Sequence, residues 1–385
     1  MRRWMTWCLA VAALVLFLNN GAPACSLCDS ALRSQTTFRH EFEQAKIVLY
    51  GHLADSQLKN PGKGVGTSEF VIEKVLKNDP ALANRAALQL NTYIPVLDSK
   101  NPPHYVVFVA VKNGQLDPYH SRLVKTTAIL PYLKEMDGLK GKDQTQQLLH
   151  YFKYLDNEDE RISQDAFLEF ARLNDKEVGE IAKHLPAERL RKLLENPKTP
   201  NERLGLYAFL LGAGGNDKDA AALLRKMIDK TDARTAPALD GLLGGYINLK
   251  PKEGWDLTAD ILADPKKPLT ERFAAVRTLR FYHAWKPTET HKEVLHCLSV
   301  MLKDGEIGDL AIDDLRQWQM WDFTKEVLGC FDKPAFDSPL ARRNIVRYAL
   351  CCPQPPAREF IAALSKQNAD LVAEVRESLE SDKGN

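Results

Sequence analysis

The stretch Lys292-Glu293-Val294-Leu295-His296-Cys297 returns 33 residues later as Lys325-Glu326-Val327-Leu328-Gly329-Cys330. The second copy is followed by a proline-containing loop and an arginine-rich stretch with helical patterning. A pattern that repeats after some thirty residues is typical of stacked helix pairs, because one pair cannot bury its own apolar face and its neighbours must cover it. The repeat therefore predicts an α-helical array that presents surfaces, and it does not name an activity.

Helical patterning extends on both sides of this repeat, over residues 148–380. This patterning predicts six helix pairs. Residues 381–385, which follow it, are expected to form a disordered tail. The first helices of the pairs are predicted at residues 163–173, 201–211, 236–247, 270–282, 307–318 and 339–351. The second helices are predicted at residues 176–195, 217–229, 253–263, 289–303, 321–331 and 357–379.

Several first helices share a proline at or just before the start and an arginine soon after it. These residues are Pro200, Pro268, Pro339, Arg203, Arg272 and Arg343. A proline is harmless at the start of a helix, because its missing N–H would have no intrahelical partner there. The spacing and the arginine placement resemble HEAT-type repeats, and this resemblance implies an α-solenoid over residues 148–380.

The chain before residue 137 has strand and turn signals instead. A turn-rich loop lies at 60–66, and Asn113-Gly114 is a tight-turn signal. Residues 106–111 are apolar without alternation, which indicates a central strand. A short amphipathic helix containing Phe38 and Phe42 is predicted before the strands, and another helix is predicted at 126–139. Strands are predicted at residues 47–53, 67–76, 87–96 and 105–111.

These patterns together predict an α+β multidomain fold. A small amino-terminal β-barrel or curled sheet is predicted at residues 25–136, a linker at 137–147, and the α-helical array at 148–380. Residues 1–24 have the features of a signal peptide: a basic start, eleven apolar residues at 8–18, and Ala22-Pro23-Ala24 before Cys25. Eleven residues are too few to span a bilayer, which needs about 20. We therefore expect an exported protein that is periplasmic, envelope-associated or extracellular.

The charge balance argues against nucleic acid as a partner. The whole chain has 52 basic and 51 acidic residues, and the leader contains two arginines and no acid, which leaves 50 basic against 51 acidic residues. A chain so close to neutrality has no general attraction for nucleic acid or for anionic lipid. Contact with a membrane is expected only through a lipid anchor on Cys25.

Six cysteines remain after the leader. Of these, Cys25 and Cys28 form the only cluster whose spacing suggests a chemical role. Four interpretations stay open for this Cys-x-x-Cys pair: a structural disulfide, a thiol redox pair, part of a metal site, or lipid attachment at Cys25. Cys297 and Cys330 are equivalent positions of successive repeats. Packed helices lie about 8–10 Å apart, so we expect these two to remain unbridged buried thiols.

A further resemblance rests on Cys25, the amino terminus that cleavage of the leader would create, and on three segments that follow it. These are Ala45-Lys46-Ile47-Val48-Leu49-Tyr50-Gly51, residues 67–77, and Tyr105-Val106-Val107-Phe108. Together they resemble the netrin-like, OB-fold module of tissue inhibitors of metalloproteinases and their bacterial relatives, over about residues 25–125. The resemblance implies that Cys25 could chelate a protease zinc through its amine and carbonyl. This chain has Cys-x-x-Cys where that family has Cys-x-Cys.

The remaining motifs lack the full set of residues that catalysis or metal binding would require. His40-Glu41-Phe42-Glu43-Gln44 has Gln where a zinc protease needs its second His. The acidic residues 156–160 fit a helix amino terminus. Trp285, Trp318 and Trp321 form either an exposed binding patch or, as we favour, part of the helix core.

The sequence therefore predicts a protein without catalytic residues or a bound cofactor. Its expected function is that of an exported binding or scaffold protein, with a protein or envelope partner on the helical surface. Two alternatives use the new amino terminus. The first is a metalloproteinase inhibitor that acts through Cys25, and the second is a thiol redox protein that uses Cys25 and Cys28. Cys25 is also a candidate metal ligand.

Overall fold

The computed structural model describes residues 35–215 and 218–384. Its first compact unit is built around one antiparallel sheet. The strand order is β3-β2-β1-β4-β5, so β3 and β5 are the edges of an open sheet among the described residues. The α+β prediction is confirmed at this level, and the closed barrel stays a prediction. The strands are β1 (Ile47–Asn60), β2 (Val65–Lys77), β3 (Ala87–Leu90), β4 (His104–Lys112) and β5 (Gln115–Val124).

Strand β4 lies between β1 and β5, and its residues Val106 to Val109 are fully buried, which confirms the central strand. The hairpin between β4 and β5 turns at Asn113 and Gly114, whose φ angles are 51° and 75°. Two left-handed residues in a two-residue loop match the twist of an antiparallel pair, so the tight-turn signal is also confirmed.

Two features of the sheet differ from the strand signals. The predicted strand at 87–96 ends at Leu90, and β5 was not recognised at all. Strand β5 contains Pro118, which pairs with Val109 next to a register shift that leaves Tyr119 as an extra residue. A proline is tolerated at such a bulge on an edge strand, although its presence argues against a strand in the sequence.

Between residues 35 and 174 the structure describes four α-helices of this first unit: α1 (Phe38–Gln44), α2 (Ile129–Asp137), α3 (Gln144–Phe152) and α4 (Glu160–Ala171). Thr37 caps α1, and Asp159 caps α4 by accepting the Arg161 N–H, as the acidic run indicated. The chain contacts divide after Asn174. Helix α4, which matches the helix predicted at 163–173 to begin the array, therefore belongs to the compact unit that contains the sheet, and α3 begins inside the predicted linker at 137–147.

The second unit begins at Asp175 and is helical. Helices α7, α9, α11, α13 and α15 coincide with five of the predicted first helices. The helices are α5 (Asp175–Ile181), α6 (Ala187–Glu195), α7 (Asn201–Gly214), α8 (Ala220–Asp229), α9 (Leu239–Leu249), α10 (Pro251–Ala263), α11 (Leu269–Trp285), α12 (His291–Met301), α13 (Gly308–Gln317), α14 (Thr324–Leu328), α15 (Pro339–Cys351), α16 (Pro355–Gln367) and α17 (Ala369–Gly384).

Two predicted second helices are each divided into shorter helices. The segment at 176–195 breaks at Leu185, which is extended (φ −90°, ψ 140°) because Pro186 follows it. The segment at 357–379 breaks at Asn368 (φ −147°, ψ 75°). Helix α17 then continues through Gly384, where a disordered tail was predicted. Over the described residues, none of the helices has the length and apolar character that crossing a membrane would need.

Candidate functional site

The cysteines of the predicted amino-terminal site, Cys25 and Cys28, lie outside the described residues, as does the leader. Their roles stay predictions. In the second unit Cys297 and Cys330 are buried and free, which confirms the prediction that they are not joined. Burial raises the pKa of Cys297 to about 12 and also raises the pKa of Cys330. Such thiols are inert at neutral pH. Cys351 differs, because it is exposed.

The three tryptophans pack within the helices and do not form a patch. The Trp285 ring lies 5.3 Å from the Phe209 ring. Trp318 stacks on His283 at 3.8 Å, and Trp321 contacts Tyr348 edge-on at 5.1 Å. All three are half-buried. Their role in helix packing, which the sequence analysis favoured, is confirmed.

A cleft of about 520 Å³ opens in the second unit, where α9 and α11 end and α10 and α12 begin. Its floor is aromatic: Trp255 is 7% exposed, and its ring lies 5.1 Å from that of Tyr282. Tyr282 donates a hydrogen bond from its hydroxyl to the carbonyl oxygen of Gly244 at 2.7 Å. That bond holds the ring in place, so the cleft has a fixed apolar base.

The rim of the cleft is charged. Lys252 and Asp256 form an ion pair at 2.6 Å. The Lys286 Nζ atom lies 3.9 Å from Glu289 Oε2 and 4.1 Å from the centre of the Trp285 ring. These contacts occupy both lysines. Glu293 is half-buried at the same rim and has no ion-pair partner among the described residues, so the rim carries an excess of negative charge.

The side chains lining this cleft offer binding chemistry more readily than catalysis. No serine, cysteine or histidine belongs to the described residues that line it. Among the lining residues that the structure describes, Thr290 alone carries an aliphatic hydroxyl, and it donates to the carbonyl oxygen of Lys286 at 2.9 Å. The Thr290 hydroxyl therefore contacts a backbone oxygen and not a side-chain base, which the activation of a hydroxyl nucleophile requires.

A second cluster lies on the sheet of the first unit, and the sequence analysis missed it. His52 on β1 contacts Glu73 on β2, with Nδ1 and Oε1 2.6 Å apart. His104 on β4 contacts the same oxygen through Nε2 at 3.1 Å. Burial alone would raise the pKa of the Glu73 carboxyl, but hydrogen bonds from the two histidines and their charge bring that pKa below its usual value. Glu73 is therefore a carboxylate at neutral pH.

Comparison with known proteins adds no identity: no protein-family profile, no curated protein and no solved structure matches this chain.

Proposed function

We propose that this chain is an exported, non-catalytic binding or scaffold protein, and that its helical unit holds a segment of a protein partner in the cleft above Trp255 and Tyr282. The observation that carries the proposal is the cleft itself, with an aromatic floor and a charged rim. Binding sites of this type are concave, are lined by apolar and aromatic side chains, and use a few polar groups for orientation.

The charges of the rim define the partner segment further. The lysines of the rim already contact Asp256 and Glu289, whereas Glu293 has no ion pair among the described residues. A segment that places an apolar side chain on the floor and a lysine or arginine beside Glu293 complements both features. Charge complementarity of this kind supplies specificity as well as affinity.

The test is selection of peptides from a random displayed library on the immobilised full-length protein. We expect the selected peptides to share an apolar residue next to a basic one, and to bind the Glu293→Lys variant at least about tenfold more weakly. Asn248→Trp, which places a large ring in the cleft, is expected to weaken the same peptides. Affinities are measured by fluorescence anisotropy with synthetic versions of the peptides.

The matched control is Glu359→Lys, the same charge reversal at an exposed position of α16. It should leave the affinities unchanged. If no peptide is enriched, or if the enriched peptides bind wild type, Glu293→Lys and Asn248→Trp equally, then this cleft is not the binding site and the proposal fails.

The proposal includes a finer architecture, with a netrin-like OB barrel around the sheet and a HEAT-like solenoid formed by the helices. The regular order of α7, α9, α11, α13 and α15 supports the solenoid, as does the burial of Cys297 and Cys330 at equivalent repeat positions. The stability of a solenoid is close to a sum over neighbouring repeats. Deletion of residues 353–385 should therefore leave the remaining helices folded by circular dichroism, whereas a single cooperative core would unfold.

Export is tested separately. Mass spectrometry of the protein from its native host should find a mature amino terminus at Cys25 and report whether that residue carries acyl chains or a disulfide. An intact leader in that spectrum would contradict export by a cleaved signal peptide.

A further inference from the structure

We propose that His52, Glu73 and His104 form a binding site for a divalent transition-metal ion of the zinc class. One donor atom from each residue lies within 4.8 Å of the other two. Two imidazole nitrogens and one carboxylate oxygen are a donor set that proteins use for zinc when a fourth position is left to water or to a ligand. This inference concerns the sheet unit and is independent of the proposed cleft in the helical unit.

The strand register brings the two histidines together. His52 on β1 and His104 on β4 are direct partners in the antiparallel ladder, so their side chains leave the sheet on the same face. Their ring centroids are 5.6 Å apart. His104 is also stacked on Tyr50, with 5.4 Å between centroids and 23° between the planes. Tyr50 is 5% exposed, so a fixed ring supports one of the two ligands.

A bulge in β2 places the third ligand. Gly51 pairs with Ile72 and the preceding Tyr50 pairs with Lys74, so Glu73 is the extra residue of the ladder. The strands approach closely here, because a Cβ atom on Gly51 would lie 1.9 Å from the carbonyl oxygen of Val71. A bulge typically redirects a side chain next to a functional site. Here the redirected side chain meets both histidines.

The distances fit a metal ion with small movements. In a tetrahedral zinc site with bonds of 2.0–2.2 Å, neighbouring ligand atoms lie about 3.3 Å apart. The donor atoms of His52 and His104 are 2.6 Å and 3.1 Å from Glu73 Oε1. An ion bound by all three residues requires the two contacts with Glu73 to lengthen by less than about 1 Å, and the two histidine nitrogens lie within 4.8 Å of each other. Changes in side-chain torsion angles can supply such movements.

The site is open to an incoming ion and to a fourth ligand. The side chains of His52, Glu73 and His104 are 27%, 34% and 35% exposed. Ligands on three adjacent strands are held more precisely than ligands on loops. The partly exposed edge leaves room for water, so the geometry is of the open type, in which a bound water can become acidic or be replaced by a ligand.

The test is titration of the full-length protein with Zn²⁺, with binding measured by isothermal titration calorimetry. His52→Ala, His104→Ala and Glu73→Gln should each weaken binding at least about tenfold, since each removes one of three protein ligands. Glu69→Gln, an exposed carboxylate on the same strand, and His296→Ala, an exposed histidine of the helical unit, are the matched controls and should bind like wild type.

Substitution with Co²⁺ identifies the ligands. A nitrogen and oxygen site gives visible d–d bands without sulfur-to-metal charge transfer, and these bands should disappear in Glu73→Gln, which preserves size. Thiols are the competing ligands in this chain. A cobalt spectrum dominated by charge transfer from sulfur, or Zn²⁺ affinity that survives all three substitutions, overturns the proposal. So does the absence of saturable Zn²⁺ binding at micromolar protein.

Discussion

Gly241 on α9 lies against Gly205 on α7 so closely that a Cβ atom on Gly241 would come within 1.9 Å of the carbonyl oxygen of Gly205. The two helix backbones are in direct contact at this point. No side chain larger than hydrogen fits at Gly241 without moving one helix. The contact is backbone against backbone, so a change of rotamer cannot relieve it.

We therefore expect Gly241→Ala to lower the free energy of unfolding by about 1–3 kcal/mol through overpacking. The matched control is Gly205→Ala, where the nearest atom to an added Cβ is 3.4 Å away. That substitution adds helix propensity without a clash and should be neutral or stabilising by up to about 1 kcal/mol. Urea unfolding followed by circular dichroism measures both. Equal effects of the two changes would contradict the close contact.

Arg272 and Arg343 were equivalent in the repeat pattern, but their environments differ. Arg272 is fully buried and bonds Asp304 at 2.7 Å, Glu306 at 2.9 Å and the carbonyl oxygen of Leu262 at 3.1 Å. We expect Arg272→Ala to cost about 2–5 kcal/mol, because it leaves a cavity and an unpaired buried carbonyl.

Arg343→Ala serves as the control for this prediction. Its guanidinium pairs with Glu374 at 2.6 Å, but both side chains are about half exposed, and such surface pairs contribute less than about 1 kcal/mol. Thermal and urea unfolding of the two variants measure the difference. Similar losses for Arg272→Ala and Arg343→Ala would show that burial does not separate these two positions.

Asp165 should make the stability of the sheet unit depend on pH. Burial raises the pKa of this carboxyl from an ordinary 3.8 to about 7, while hydrogen bonds from the Phe38 N–H and the Tyr132 hydroxyl oppose the rise. The folded protein holds the proton more tightly than the unfolded chain. The free energy of unfolding should therefore fall as the pH rises from about 4 to about 7 and level off above that.

Asp165→Asn cannot ionise, so its unfolding free energy should change less over the same pH window. The control is Asp55→Asn, at an exposed position of β1, which should keep the wild-type slope. Chemical unfolding at a series of pH values provides the measurement. A slope in Asp165→Asn as steep as that of wild type would assign the pH dependence to other groups.

Glu41 lies in the segment that was compared with a zinc-protease helix, and the structure gives it a different role. Its buried carboxylate accepts two bonds from Arg122 on β5, both 2.9 Å long. We expect Arg122→Ala to destabilise the protein by about 2–3 kcal/mol, because it leaves a charged carboxylate buried with less compensation.

The double variant Glu41→Gln with Arg122→Met should recover part of that loss, since it removes the buried charge together with its partner. Lys192→Ala is the control, because its pair with Glu188 is largely exposed and should change stability by less than about 1 kcal/mol. A double variant less stable than Arg122→Ala would argue against the buried charge as the cause.

Patterns within one helix or one turn were readable from the sequence, whereas relations between distant segments were not. The repeated phrase located α12 and α14, although α14 ends at Leu328 whereas α12 continues to Met301 beyond its copy of the phrase. Likewise, Asn113-Gly114 identified its hairpin locally. Glycine and proline act through their own backbone, so such effects appear in a short window of sequence.

The cluster of His52, Glu73 and His104 had no such signal. Its members are 21 and 31 residues apart along the chain, with no local motif around any of them. They meet because of the ladder between β1 and β4 and the single extra residue in β2. Register is set by the pairing of whole strands, so a bulge that redirects one side chain is not visible in the periodicity of one segment.

The two outer strands of the sheet also bear on how this protein behaves in crowded solution. Strand β3 has only four residues, and β5 is interrupted by Pro118 and its neighbouring bulge. Short or bulged borders of this kind offer a poor template for hydrogen bonding to a second copy. Replacing Pro118 with valine and deleting Tyr119 would straighten that border and should make the protein self-associate at concentrations where the natural chain remains dispersed.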